Sequence, residues 1–156
     1  MLRKVILVRH GESADKQAGQ SDFDRALTVR GRSSVQRLGK YLGQENIFID
    51  LLFSSPAVRA KQTTTIVAEE IGLTKIKYVV PLFNGTDSDY LDIVHQCVGT
   101  IMIVGHNPAI SFVAGKLCNN YSISLMPGQA VIIEISEDDS KKSSGSLLKL
   151  VGPLHK

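Results

Sequence analysis

Cysteine is scarce in this chain: Cys97 and Cys118 are the only two in 156 residues. Two are too few for a disulfide framework or a zinc site. Cys97 follows the apolar helical positions Ile93 and Val94, and Cys118 follows Leu117, so both read as reduced core thiols. Charge of one sign is scarce too, with 18 Lys and Arg against 15 Asp and Glu, a formal net charge of +3. So small an excess fits anionic small ligands or acidic protein surfaces. Without a Lys/Arg run interleaved with aromatics, it makes no case for nucleic acid. No apolar stretch reaches the roughly 20 residues that span a bilayer. Met1-Leu2-Arg3-Lys4 runs straight into a strand with no signal-peptide pattern. A cytoplasmic protein without a membrane partner is the expectation. Internal repeats and linkers are missing as well, so residues 1–156 read as one domain with enough length for a real core.

What is present is strand–helix alternation. The β-branched run Val5-Ile6-Leu7-Val8 predicts a buried first strand. Ser13 to Arg25 is polar and reads as a long surface loop with a short helical piece, a length that is often functional. Thr28 caps a helix whose Val35, Leu38 and Leu42 share a face, with Gly43 and Asn46 as stop signals. Asp50 to Ser54 is the second strand. Ser55 as N-cap and Pro56 in the first helical position then open a helix that Gly72 ends. Ala60, Thr64, Val67, Ala68 and Ile71 form its inner face. Lys75 to Val80 predicts a third strand, Asn84 to Asp89 a polar turn, and Tyr90 to Cys97 a short helix. Thr100 to Val104 is a fourth strand. Asn107 as cap and Pro108 in the first position start a helix running to about Asn119. Gln129 to Ser136 and Leu147 to Val151 are the last strands, joined by a charged, Ser-rich, exposed and mobile loop from Glu137 to Ser146. The sum is an α/β protein, a three-layer α/β/α sandwich around a mixed, mostly parallel central sheet.

Three strand–helix junctions carry cations or imidazoles. Arg9 and His10 end the first strand in Arg9-His10-Gly11-Glu12, Arg59 lies one turn into the helix after Pro56, and His106 precedes Asn107. Ligands of open α/β sheets bind at the carboxyl ends of strands. Helix N-termini add free N–H groups and partial positive charge there. If the junctions share one end of the sheet, these side chains converge on one dianion, and a phosphoryl group suits the Arg fork. Taken singly, each residue also fits a plainer role: an ordinary strand end, a solvated helix-face arginine, a satisfied strand-end histidine. Metal binding is the rival chemistry for His10 and His106. Neighbouring arginines would repel a divalent cation, and no Cys or carboxylate falls at ligand spacing, so no metal and no cofactor are expected.

With these residues in place, the chain resembles the histidine phosphatase superfamily, the phosphoglycerate mutase-like clan. The resemblance rests on Arg9-His10-Gly11-Glu12, on Leu27-Thr28 with Gly31, on Ser54-Ser55-Pro56 with Arg59-Ala60 and Gln62-Thr63, and on Gly105-His106-Asn107-Pro108. These pieces occur in the family's order over residues 5 to about 115. The short length and the Gly-His-Asn-Pro form look most like its SixA branch, the protein phosphohistidine phosphatases. The resemblance implies that His10 is the nucleophile and that Arg9, Arg59 and His106 hold the phosphate oxygens. Arg25 matches a branch-specific arginine that also reaches phosphate, and Glu12 is implied to be a supporting or capping carboxylate.

These roles carry consequences. Two neighbouring arginines disfavour imidazolium, so the His10 pKa is expected to be pushed down. The implied route is a phosphohistidine intermediate hydrolysed by water. Many family members place an acidic residue in or after the third strand to protonate an alkoxide. Here Pro81 to Gly85 has no carboxylate, and Asp87 and Asp89 follow slightly later as possible proton donors or simple helix caps. A missing acid favours a phosphoramidate, whose imidazole leaves without strong acid, over a sugar phosphate. The expected function is dephosphorylation of protein phosphohistidine, with the partner a histidine-containing phosphotransfer domain of a phosphorelay. A phosphatase of small phosphomonoesters is the alternative, and a non-catalytic phosphate- or phosphoprotein-binding module is the alternative of another class.

Overall fold

A computed structural model describes residues 2–137 and 143–154. Six strands form one sheet in the order β3-β2-β4-β1-β5-β6. β1 (Leu2–Arg9), β2 (Leu51–Ser54), β3 (Ile76–Tyr78) and β4 (Ile101–Gly105) run parallel. β5 (Ala130–Glu137) is antiparallel to β1, and β6 (Ser143–Val151) is antiparallel to β5. Successive side chains of a strand point to opposite faces, so a run buried on both faces must be continuously apolar. In β1, Ile6 and Val8 face a core completed by Val35, Leu38 and Leu42 of α1 (Val29–Gln44) and by Val67 of α2 (Val58–Ile71). Val5 and Leu7 face the other core, with Tyr90 and Val94 of α4 (Asp87–Gln96) and Ile110 and Val113 of α5 (Ala109–Cys118). Two helical layers thus cover a mixed, mostly parallel sheet, the expected three-layer sandwich and the phosphoglycerate mutase-like α/β fold.

Several boundaries differ from expectation for local reasons. The helix expected from Pro56 starts at Val58 with Ala57 as its cap, while Ser55 Oγ accepts from Ala57 N–H and also meets His106. Likewise α5 starts at Ala109 with Pro108 as cap, since the Asn107 amide is taken up by Leu125 O and the Ser111 hydroxyl. The third strand is shorter than Lys75 to Val80. Pro81 opens the short helix α3 (Pro81–Asn84), and its backbone bonds to Val79 and Val80 turn the chain out of the sheet. Gly43 lies inside α1, and the chain leaves the helix at Glu45 with Asn46 at φ 55°. The polar stretch Ser13 to Arg25 is largely irregular, with one 3₁₀ turn at Asp22–Asp24. Of the loop expected from Glu137 to Ser146, residues 138–142 lie outside the described residues. Glu137 and Ser143 to Ser146 instead pair in β5 and β6, because ladder hydrogen bonds use the backbone and tolerate serine. Both cysteines are free and half-buried.

Candidate active site

Strand register brings the three junctions together. Arg9 lies opposite Gly105 in the β1–β4 ladder, and Ser54 lies opposite Val104 in the β2–β4 ladder. The residues that follow each strand therefore leave the sheet at one carboxyl edge, as expected of an α/β ligand site. Two close approaches hold this edge. A Cβ on Gly31 would sit 2.2 Å from Glu12 O, so only glycine lets the start of α1 press against the loop after β1. A Cβ on Gly105 would sit 2.2 Å from the Tyr90 hydroxyl. The result is an open cleft of about 480 Å³ whose lining includes Arg9, His10, Arg25, Arg59, His106 and Asp22.

His10 is 7% exposed, and its ring is fixed by its own neighbour: Nδ1 lies 2.8 Å from Gly11 O. A carbonyl only accepts, so Nδ1 carries the proton and the lone pair is on Nε2. The Arg59 Nε–H donates to that Nε2 at 3.3 Å. Burial, followed by His106, Arg59 and Arg9, pushes the His10 pKa down to about 3, against the Gly11 bond, which raises it. The imidazole is neutral at neutral pH, as the sequence implies, but burial rather than the arginines is the leading cause.

Arg59 is buried and donates in two further directions, from Nη1 to Asp22 O at 2.7 Å and from Nη2 to Asp22 Oδ2 at 3.0 Å. Asp22 Oδ1 accepts from Arg25 Nε at 2.9 Å, and Arg25 Nη1 reaches Ser13 Oγ and Ala14 O. Burial works against the Asp22 charge, but hydrogen bonds and charge from Arg25 and Arg59 prevail and keep its carboxyl below the usual range. Arg9 donates from Nη1 to Leu125 O, while its Nε is buried without a partner. Burial and the nearby Arg59 charge both lower the Arg9 pKa. A cleft with this much confined positive charge is suited to an anion.

The opposite wall is built on His106. Its ring stands 5.0 Å from that of His10, centroid to centroid, and Phe83 packs edge-on against it at 5.6 Å. Nε2 lies 2.7 Å from Ser55 Oγ, which already accepts from Ala57 N–H. The Ser55 hydroxyl, one donor with two acceptor positions, thus bridges Ala57 N–H and the ring Nε2, while Nδ1 is buried with no protein partner. Burial first, then Arg59, lowers the His106 pKa to about 4. The His106 N–H donates to the Tyr90 hydroxyl at 3.1 Å, and that hydroxyl donates to Leu82 O at 2.7 Å. The motif residues Gln62 and Thr63 brace the same edge: Gln62 accepts from Leu27 N–H, and Thr63 accepts from Gly11 N–H.

The structure gathers His10, Arg9, Arg59, His106 and Arg25 in one cleft and leaves Asp87 and Asp89 outside its lining. Asp87 pairs with Lys116 on α5 at 2.5 Å. Asp89 closes the capping box of α4 by accepting from Thr86 N–H. Glu12 lines the cleft and accepts from the Thr28 hydroxyl at 2.9 Å, beside the cap of α1. Sequence reasoning missed Asp22, Ser55 and Tyr90 as parts of the site. Ser55 stood in a quoted motif but was assigned to capping, and Asp22 stood in the loop already marked by its length. Among the described residues, no three His, Cys, Asp or Glu side chains gather as a metal-ligand set.

The family model of the histidine phosphatase superfamily (branch 1) matches residues 5–79. The phosphohistidine phosphatase SixA of Escherichia coli K12 is 27% identical over 121 residues, 74% of each chain. Just under half of the chain thus matches the histidine phosphatase superfamily, and its likeness to SixA runs further. The mitochondrial serine/threonine-protein phosphatase Pgam5 of Drosophila ananassae is 43% identical over 77 residues, 49% of this chain. The match spans about a quarter of the Pgam5 length, 26%. The SixA structure from Agrobacterium tumefaciens shares the fold, with a TM-score of 0.85 at 23% identity over 97% of this chain and 98% of that one. No described helix is long and apolar enough to cross a membrane.

Proposed function

We propose that the protein is a phosphatase that works through a phosphohistidine on His10, and that its substrate is a phosphohistidine side chain of another protein, such as a phosphotransfer domain. The observation that carries this reading is the His10 ring itself. It is neutral, its Nδ1–H is tied to Gly11 O, and its Nε2 lone pair, which accepts from the Arg59 Nε–H until that guanidinium turns to the phosphoryl oxygens, lies in a cleft lined by Arg9, Arg59 and His106. In the first step Nε2 attacks phosphorus, the bond from phosphorus to the substrate nitrogen breaks, and its electron pair leaves with that nitrogen. Negative charge on the equatorial oxygens is held by Arg59, Arg9 and His106, whose side chains line the cleft. Arg25 adds charge at the rim. Water then attacks the phosphoenzyme and His10 leaves as a neutral imidazole, with Nδ1–H still on Gly11 O. The three arginines around the cleft disfavour a divalent cation, and no step of this route calls for one.

The substrate class follows from the proton inventory. Neither Asp87 nor Asp89 lines the cleft, Asp22 is held ionised by two arginines and is a poor acid for an alkoxide, and Glu12 is turned to the Thr28 hydroxyl at the cap of α1. An imidazole leaving group does not need one. The likeness to the Escherichia coli phosphohistidine phosphatase supports this reading. A second reading, phosphate ester hydrolysis, is supported by the likeness of about half of the chain to Pgam5, and it would assign proton delivery to Glu12 on the cleft wall. Turnover of a phosphorylated phosphotransfer domain beside sugar phosphates and a phosphoserine peptide separates the two. We expect the phosphotransfer domain to be preferred, and faster hydrolysis of the esters would sink the phosphohistidine reading.

A further inference from the structure

We propose that Asp22 selects a phosphohistidine substrate by accepting a hydrogen bond from the second nitrogen of the substrate imidazole, keeping that nitrogen protonated while the P–N bond breaks. The inference rests on the phosphohistidine reading above. Asp22 shares the cleft with His10, and its side chain is 53% exposed. Each carboxylate oxygen accepts one arginine N–H, from Arg25 at Oδ1 and Arg59 at Oδ2. A carboxylate has about four acceptor positions, so each oxygen keeps one for a ligand.

The chemistry gives that acceptor a purpose. A phosphoryl imidazole leaves as a neutral ring only if its other nitrogen carries a proton. Otherwise the leaving group is imidazolate, a far stronger base. With the proton in place the step balances: the His10 Nε2–P bond forms, the P–N bond breaks, its electrons stay on the departing nitrogen, and the substrate ring leaves neutral. The environment works against that proton. Arg9, Arg25 and Arg59 line the cleft and disfavour a cationic ring beside them, while His10 and His106 are neutral and give no opposing charge. Of the two carboxylates in the lining, Glu12 is turned to Thr28 at the cap of α1, whereas Asp22 is bonded to Arg59, which itself reaches His10 Nε2. The protein uses the same device on its own side of the reaction. Gly11 O holds the Nδ1 proton of His10, so phosphorylated His10 is also a protonated ring primed to leave. A phosphate ester has no such N–H to offer, and to it Asp22 is only a nearby negative charge. Asp22 therefore discriminates by the leaving group.

The test compares Nε2-phosphohistidine with p-nitrophenyl phosphate in wild type, Asp22→Asn and Asp22→Glu, across pH. In Asp22→Asn the ratio of kcat/KM for phosphohistidine to that for the ester should fall roughly 10- to 100-fold, the scale of a hydrogen bond to a charged group. Its alkaline limb on phosphohistidine should move to lower pH, because the substrate ring sheds its proton sooner. Asp22→Glu should recover part of both. Ester turnover in the same preparation reports that the variant is folded. An equal loss on both substrates, with an unmoved alkaline limb, would overturn the inference and leave Asp22 a holder of Arg59 and Arg25. Wild type that turns over the ester and not phosphohistidine would instead overturn the reading on which the inference rests.

Discussion

Replacing Tyr90 with phenylalanine removes one oxygen from the middle of the protein and disconnects the His106 backbone from α3. Tyr90 is fully buried, and its hydroxyl links the His106 N–H to Leu82 O. Burial, partly offset by the bond from His106, raises the phenol pKa to about 12, so the hydroxyl stays protonated and keeps donating to Leu82 at any working pH. Phenylalanine retains the ring and its packing but orphans one buried donor and one buried acceptor, at about 1–3 kcal/mol each. Deleting the hydroxyl also removes its own desolvation cost, which offsets part of that sum and leaves a net loss of about 2 kcal/mol. Against a total stability of about 5–15 kcal/mol this is a large fraction. Urea titration should show a lower midpoint at unchanged slope, and the melting temperature should fall by about 4–8 °C for a chain of this size. Amide exchange at His106 should accelerate, and kcat should drop because the His106 ring is no longer held from below. A loss under about 0.5 kcal/mol, the size of an ordinary surface change, would refute the claim that Tyr90 anchors the site.

Ser55→Ala should cost stability by about 1 kcal/mol and lower kcat/KM about tenfold, since His106 Nε2 loses its partner and the ring is free to turn; a variant indistinguishable from wild type in steady-state assays would remove Ser55 from the site. Folding should bind fewer protons than the unfolded chain in acid, because burial leads in depressing both His10 to about 3 and His106 to about 4. Their contribution to stability is therefore complete above the unfolded histidine pKa of about 6.5 and drains away as pH falls through 4 toward 3. Urea midpoints compared at neutral and acid pH check this, and a cationic His10 ring seen by NMR at pH 6 would contradict it. Asp87→Asn should keep turnover of phosphohistidine and phosphate esters within about twofold of wild type, as expected for breaking a surface ion pair, and a large loss of kcat on esters alone would restore Asp87 to the mechanism.

Much of the site was legible in the sequence because strand ends are legible. An apolar run closed by Arg9-His10 or Gly105-His106 marks both the strand and its exit, and a parallel sheet places such exits on one edge. Arg59 was found the same way, from the helix start after Ser55-Pro56. What the sequence hid was side-chain diversion. Ser55 and Asn107 have the chemistry of helix caps, and local propensity assigns them there, but His106 and Leu125 compete for them across the fold. Asp22 was hidden because its role depends on the path of an irregular loop, which folds back to Arg59, a residue 37 positions away in sequence. Asp87 and Asp89 follow the third strand and read as possible proton donors or helix caps; in the fold one pairs with Lys116 and the other caps α4. The strand over Ser143 to Ser146 escaped notice because serine-rich sequence signals a loop, whereas a ladder needs only backbone.

The central claim is that His10 becomes phosphorylated during turnover. Rapid mixing of the protein with a phosphorylated phosphotransfer domain, followed by alkaline quench and peptide mass spectrometry, tests it most directly. One phosphoryl group is expected on the peptide containing His10, lost in acid and stable in base, formed no more slowly than phosphate is released and absent in His10→Ala. Sustained phosphate release with no phosphoryl group on His10, or with the group on another residue, would contradict it.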